Sequence, residues 1–282
     1  MNVHLVTVVG GYTQLLDCML RHYRDMGVDS LLVNVQLETY GDDLYKEVQV
    51  VASRYNAEIV SVFVGKWNQS VNPYLYRHTM EQAPRDWFVL ADCDELQVYP
   101  KGLFDTISAA DRGAFDYIEG FVVDRVAADG VLRKVDRHES LWEQFSLAGF
   151  VTHPLLRGNC FKVAAAKGSV RLLAGQHYAL QGRAWPRNED WIAVHHFKWT
   201  DGLLERMRAR VRFYKSVGDC LWTESQRLVD YLEQSKGRIN IDEPQFLLRL
   251  STKHCPHEGE LKAYLLAHEQ RMPRPSTSLI SP

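Results

Sequence analysis

Asp92, Asp94 and Glu95 stand in one four-residue stretch, Asp-Cys-Asp-Glu, directly behind the apolar run Trp87-Phe88-Val89-Leu90-Ala91. Carboxylates one residue apart can point the same way at the end of a strand. Crowding like charge there is costly unless a cation neutralises it. A hard divalent ion, Mg²⁺ or Mn²⁺, with positions left for phosphate oxygens, meets that need. An acidic surface loop has the same spacing, so the position after an apolar strand is what makes Asp92 and Asp94 candidate metal ligands. His195 and His196 form a second group. Adjacent residues on a strand face opposite ways, so one of the two can face a site while the other lies in the core. Lys198 shares the face of His196 and can meet a phosphate oxygen as a point charge. His177 is a third candidate imidazole.

These groups need a scaffold, and the preceding chain supplies one. Residues 3–9 form a run rich in β-branched residues, as a strand buried on both faces does, and Gly10-Gly11 ends it. Residues 13–26 carry apolar side chains at helical spacing, with Gly27 as the stop. Residues 30–37, 58–64 and 86–91 read as further strands, and residues 42–55 and 73–82 as further helices, the last with Pro73 near its first turn. This β-α-β-α-β-α-β order implies a mostly parallel sheet. Ligands bind beyond the carboxyl ends of such strands, so the places to look are Gly10-Gly11-Tyr12, Glu38-Thr39, residues 66–69 and the acidic stretch itself. Farther on, residues 117–123, 160–163, 177–180 and 192–198 read as strands. Residues 201–216, 221–234 and 243–250 read as helices, and the Pro- and Ser-rich residues 271–282 as a flexible tail.

The composition excludes several classes. The 282 residues are 46% hydrophobic and 24% charged, with a formal net charge of -2, which is globular and not disordered. The chain lacks the basic field of a nucleic-acid coat. Arg206, Arg208, Arg210 and Arg212, two residues apart, spread around a helix and read as a solvated face. No apolar run reaches membrane-spanning length. The first residues lead straight into a strand with no secretory leader, and the five cysteines are scattered without a C-x-x-C pair; both point to reduced thiols and a cytoplasmic location. The dinucleotide fingerprint, the phosphate-binding P-loop and the serine-hydrolase elbow are absent.

With those units in place, the segment 86–95 (DWFVLADCDE) resembles the D-x-D segment of GT-A-fold glycosyltransferases, close to the family 2-like group. Residues 120–130 (GFVVDRVAADG) resemble a G-x-x-x-D-R-x-x-x-D-G segment of a bacterial subgroup, and residues 195–199 (HHFKW) resemble its H-F-K-W segment. The resemblance covers roughly residues 3–215, and the order of the motifs carries it. It implies a nucleoside-diphosphate-sugar donor, with a UDP-sugar favoured. Val8, Val9, Gly10 and Tyr12 would line the base pocket. Glu38 would contact base or ribose, although Asp is commoner there. Asp92 would approach the ribose or metal, and Asp94 would bind the metal. By the same analogy His196 is preferred over His195 as a further ligand. The resemblance implies a base in an E-D pair roughly 90 residues after the metal motif; Glu189-Asp190 lies 95 or 96 residues after Asp94, with Asp124 and Glu119 as alternatives. A structural ion pair is the competing reading of Asp124-Arg125.

The resulting expectation is an α/β, GT-A-like (Rossmann-like) fold. Residues 1–200 would form the catalytic domain, 1–100 its nucleotide half and 101–200 its acceptor half, followed by helices over 201–270. Such a chain would be a metal-dependent glycosyltransferase acting on a hydroxyl acceptor, with inversion. The alternatives are a GT-A-fold nucleotidyltransferase, which Gly10-Gly11-Tyr12-Thr13-Gln14 disfavours for want of a basic residue, and a non-catalytic nucleotide-binding or scaffold protein.

Overall fold

A computed structural model describes residues 1–255 and 257–269; the expected tail at 271–282 lies outside them. The chain runs β1 (Val3–Gly10), α1 (Leu16–Asp25), β2 (Ser30–Leu37), α2 (Leu44–Arg54), β3 (Glu58–Val64), α3 (Val71–Met80) and β4 (Trp87–Leu90). It continues through β5 (Glu95–Val98), α4 (Leu103–Arg112), β6 (Tyr117–Val126), α5 (Leu141–Gln144), β7 (Leu147–Gly149), α6 (Thr152–Leu156), β8 (Phe161–Lys167) and β9 (Ala193–His196). Last come α7 (Leu203–Ser216), α8 (Trp222–Gln234), β10 (Arg249–Leu250) and α9 (Glu258–Glu269). The class is α/β. The chain divides into two units, one of Met1–Val122 with Phe161–His196, the other of Val123–Cys160 with Phe197 onward.

In the first unit β3, β2, β1 and β4 are parallel neighbours. β8 pairs antiparallel with β4, and the first half of β6 pairs antiparallel with β8. β1 lies inside the sheet, with Leu5, Val6 and Val9 fully buried, which explains its run of aliphatic and β-branched residues. β3 closes the edge, and Val62 on it is well exposed. α1 buries Leu16, Cys18, Met19, Leu20 and Tyr23 on one stripe. On the face of α3, Leu75, Tyr76 and Met80 pack with Val6, Val8, Phe88, Leu90, Val163 and Ala166. β5 and β9 form a short antiparallel ladder that pairs Glu95 with His196 and Val98 with Ala193. β9 also lies against β6, where Phe121 N–H donates to Ile192 O at 2.9 Å. Gly120 permits that approach, since a Cβ there would lie 2.9 Å from Ile192 O and 2.8 Å from Val194 Cγ2.

In the second unit the other half of β6 pairs antiparallel with β7, and β7 with β10. Its core gathers Trp199, Leu203, Met207 and Val211 with Leu228, Val229, Leu232 and Phe246.

Two expected elements differ. Residues 243–250 are not a helix: Pro244–Phe246 makes a single 3₁₀ turn, Leu247 turns left-handed at φ 50°, and the chain enters β10. The N–H of Phe150 donates to the Phe246 carbonyl at 2.7 Å, so beyond that single turn this backbone bonds to a neighbouring segment. Residues 177–180 contribute one isolated bridge, Leu172 with Ala179, and no strand. Among the described residues, no helix is long and apolar enough to cross a membrane.

Candidate active site

The four parallel strands deliver their carboxyl ends to one edge of the first unit, and β4 runs directly into the acidic turn. Two hydrogen bonds shape that turn: Glu95 N–H donates to Asp92 O at 2.9 Å, and Asp92 N–H donates to Glu95 Oε2 at 3.0 Å. The cation beside Asp92 and Glu95 is a side chain. Lys162 Nζ, from β8, lies 2.7 Å from Asp92 Oδ2 and 2.7 Å from each oxygen of Glu95. Glu95 and Lys162 are each 4% exposed, whereas Asp92 keeps 34% of its side chain in solvent.

Burial opposes charge on Lys162, but the Asp92 and Glu95 carboxylates outweigh it and raise its pKa, so the ammonium persists. Burial pushes the Glu95 carboxyl up, and the ammonium pulls against it. Asp92 Oδ1 takes two weaker donors, the Tyr76 hydroxyl at 3.4 Å and Gln176 Nε2 at 3.3 Å. Burial, reinforced by the charges of Asp92 and Glu95, lifts the Tyr76 phenol well above its ordinary value and keeps it a neutral donor. Gln176 sits at a positive φ of 58° with its Oε1 buried and unbonded.

Asp94 faces different partners. Its Oδ2 accepts from the Tyr12 hydroxyl at 3.3 Å and lies 3.5 Å from His196 Nε2. The ladder of β5 with β9 sets that approach, because it places His196 opposite Glu95. His177 lies among Lys162, Asp92 and His196, and burial lowers its pKa. Its Nδ1 donates to the Phe161 carbonyl at 2.7 Å; since a carbonyl only accepts, Nε2 carries the lone pair.

The structure therefore brings together Asp92, Asp94, Tyr12 and His196 from the residues singled out above, with His177 beside them. Val8 and Val9 are buried near the end of β1, and Gly10 closes that strand. Glu38 is exposed in the loop after β2, where its N–H donates to Asp42. His195 is fully buried, on the opposite face of β9 from His196. Asp190 is not brought to the acidic turn: it lies beyond the Val98–Ala193 end of the β5–β9 ladder, against Lys101 Nζ at 3.2 Å and Thr106 Oγ1 at 3.4 Å. Glu189 is exposed, and its carbonyl accepts from Lys101. Glu119 is buried and paired with Arg187 at 2.8 Å.

Asp124 belongs to the second unit. It accepts from Val151 N–H, Thr152 N–H, the Thr152 hydroxyl and Trp199 Nε1, all within 3.0 Å. Arg125 is not among these donors; its guanidinium donates to Ser251 O at 3.1 Å. Lys198, in the same unit, has its ammonium 5.9 Å from the Trp199 ring.

Sequence reasoning missed Lys162 and Gln176 and left Glu95 out of the ligand set. A clue to Lys162 was present: it stands alone in Phe161-Lys162-Val163-Ala164-Ala165-Ala166, and a lysine in a strand that apolar is buried only with a partner.

Among the described residues, no three His, Cys, Asp or Glu side chains gather as a ready cage for a metal ion. Asp94 and His196 nonetheless present a carboxylate and an imidazole close enough to serve one ion. That donor set suits Mn²⁺ or Mg²⁺ bound largely through substrate oxygens and water.

No family model matches the sequence, and neither does any curated protein. Solved structures with a similar fold include S. aureus TarS 1-349, at 13% identity and a TM-score of 0.41, over 94% of this chain and 79% of that one. Another is the mannosyltransferase PcManGT from Pyrobaculum calidifontis in complex with GDP-Man and Mn²⁺, at 13% identity and a TM-score of 0.40, over 98% of this chain and 77% of that one. Likeness at this level assigns no activity.

Proposed function

We propose that this chain is a divalent-metal-dependent glycosyltransferase that moves a sugar from a nucleoside-diphosphate sugar to a hydroxyl acceptor. The observation that supports this reading best is the acidic turn at the carboxyl end of β4, where Asp94 meets Tyr12 and His196 at the edge of four parallel strands. A donor diphosphate bound there would approach an ion held by Asp94 and His196. When bound, such an ion stabilises the charge that develops on the departing diphosphate. Tyr12 orients Asp94 by its hydroxyl, Tyr76 and Gln176 hold Oδ1 of Asp92, and a ribose hydroxyl or a phosphate-bound water would reach Asp92 through the part of its side chain left in solvent. The end of β1, from Val8 to Gly10, fits the base side of such a donor. Inversion would place one carboxylate beside the acceptor hydroxyl.

The test is thermal stability in UDP, GDP, CDP, ADP and dTDP, each with and without Mn²⁺. A ligand that binds only the folded state raises its apparent stability. One diphosphate is expected to raise Tm by several degrees in the presence of Mn²⁺ only, and Asp94→Ala to abolish the rise. If millimolar concentrations of all five leave Tm unchanged, the donor reading fails and a non-catalytic role takes its place.

A further inference from the structure

Lys162 stands where an acidic turn of this kind would otherwise draw a metal ion. Its Nζ reaches three carboxylate oxygens at 2.7 Å, which matches the three hydrogens an ammonium can donate. It is delivered by a strand in which Phe161, Val163, Ala164, Ala165 and Ala166 are all buried. Its register partner on β6 is Gly120, which has no side chain to compete for the space. A divalent ion on those oxygens would lie at contact distance from the ammonium, and two cations that close repel strongly beside the buried Glu95. The remaining carboxylate of the turn, Asp94, points to Tyr12 and His196.

We propose that Lys162 is a built-in counter-cation that closes Asp92 and Glu95 to divalent metal and confines the exchangeable ion to Asp94 and His196. The inference deepens the donor-site reading and depends on it for the purpose of the ion, not for its location. Its consequence is a metal held by two protein groups, weakly when alone and more firmly when phosphate oxygens complete its shell. Lys162 is a positioning residue here, and removing its ammonium uncovers a second, oxygen-ligated cation site.

Mn²⁺ alone is the probe, titrated into the full chain without nucleotide and followed by electron paramagnetic resonance. In the wild-type chain Asp94→Ala removes whatever Mn²⁺ binds. Lys162→Met is expected to bind Mn²⁺ at least tenfold more tightly than wild type, and Mn²⁺ is expected to restore its cooperative unfolding if the metal-free variant is unstable. Lys162→Met/Glu95→Gln deletes one charge of each sign together, so it folds without metal while leaving Asp92 uncovered; it too is expected to bind Mn²⁺ more tightly than wild type. No gain in either variant overturns the proposal. The nucleotide experiment fails or succeeds separately: diphosphate binding without any Mn²⁺ gain leaves the donor reading standing and this inference lost, and the converse result does the opposite.

Discussion

Asp92 and Asp190 are both carboxylates with a lysine at hydrogen-bond distance, and their surroundings give them different work. Asp92 is about one-third exposed and shares its lysine with Glu95. Asp190 is buried, and its lysine, Lys101, is mostly in solvent; with Thr106 it ties the chain before β9 to α4. Asp190→Asn is therefore expected to lower stability by about 1 kcal/mol, the partner being solvent-screened. Nucleoside-diphosphate binding should change less than twofold, read from urea titration and thermal shift on the same variant. A tenfold loss of binding with unchanged stability would return Asp190 to the site. At this scale the sequence exposes Asp92 and Asp94 because their spacing is a pattern. It conceals Lys162 and Gln176, since a single lysine or glutamine becomes informative only once its neighbours in space are known.

Elements fix where those residues point, and short ones do so here. β5 and β9 are four residues each, and their pairing sets His196 against the acidic turn. Gly120 is the position on which β9 depends: a methyl there would press on the Ile192 carbonyl, a backbone atom, as well as on Val194. Gly120→Ala is expected to destabilise by about 1–3 kcal/mol and to weaken Mn²⁺ binding by displacing His196. At Gly10 the close atom is Oε1 of Gln36, 2.7 Å away, and a side-chain end can move. Gly10→Ala should cost less than Gly120→Ala, though Gln36 also donates to Gly65 O at 2.6 Å; chemical denaturation of the pair decides. The strands at 30–37 and 58–64 are legible to the residue because long apolar or β-branched runs are bounded by polar turns. β5 is not, since its first residue is a glutamate whose burial depends on Lys162. Residues 243–250 show helical spacing, yet Pro244 and the left-handed Leu247 redirect them.

For the whole molecule, buried ionisable groups set the response to alkali. Burial pushes the Cys160 thiol up to about 12 from 9.0 and raises the phenols of Tyr23, Tyr76 and Tyr99 above 10.0. In each case the folded state keeps a proton that the unfolded chain releases, so stability falls as pH rises past the unfolded value. The loss is expected to begin near pH 9 with Cys160 and to steepen above pH 10. Each group contributes about 1.4 kcal/mol per pH unit at most, visible as a falling Tm between pH 8 and pH 11. An unchanged Tm at pH 10.5 would mean that these groups are not buried in the neutral form. Composition and charge were enough to exclude a disordered chain and a basic nucleic-acid coat. The division into two units is not legible in the sequence, because the switch between Val122 and Val123 falls in the middle of β6, inside one continuous strand and not at a linker.

That interleaving bears on how the protein is made. A chain halted on the ribosome at residue 122 already holds the parallel strands and the acidic turn. It lacks β8, and with it Lys162, and it lacks β9, and with it His196. The nascent turn therefore carries Asp92, Asp94 and Glu95 without Lys162 until 40 more residues have been synthesised, and without His196 until 74 have. Assembly of the candidate site is consequently a late event in synthesis, and no contiguous N-terminal fragment ending before His196 can contain it.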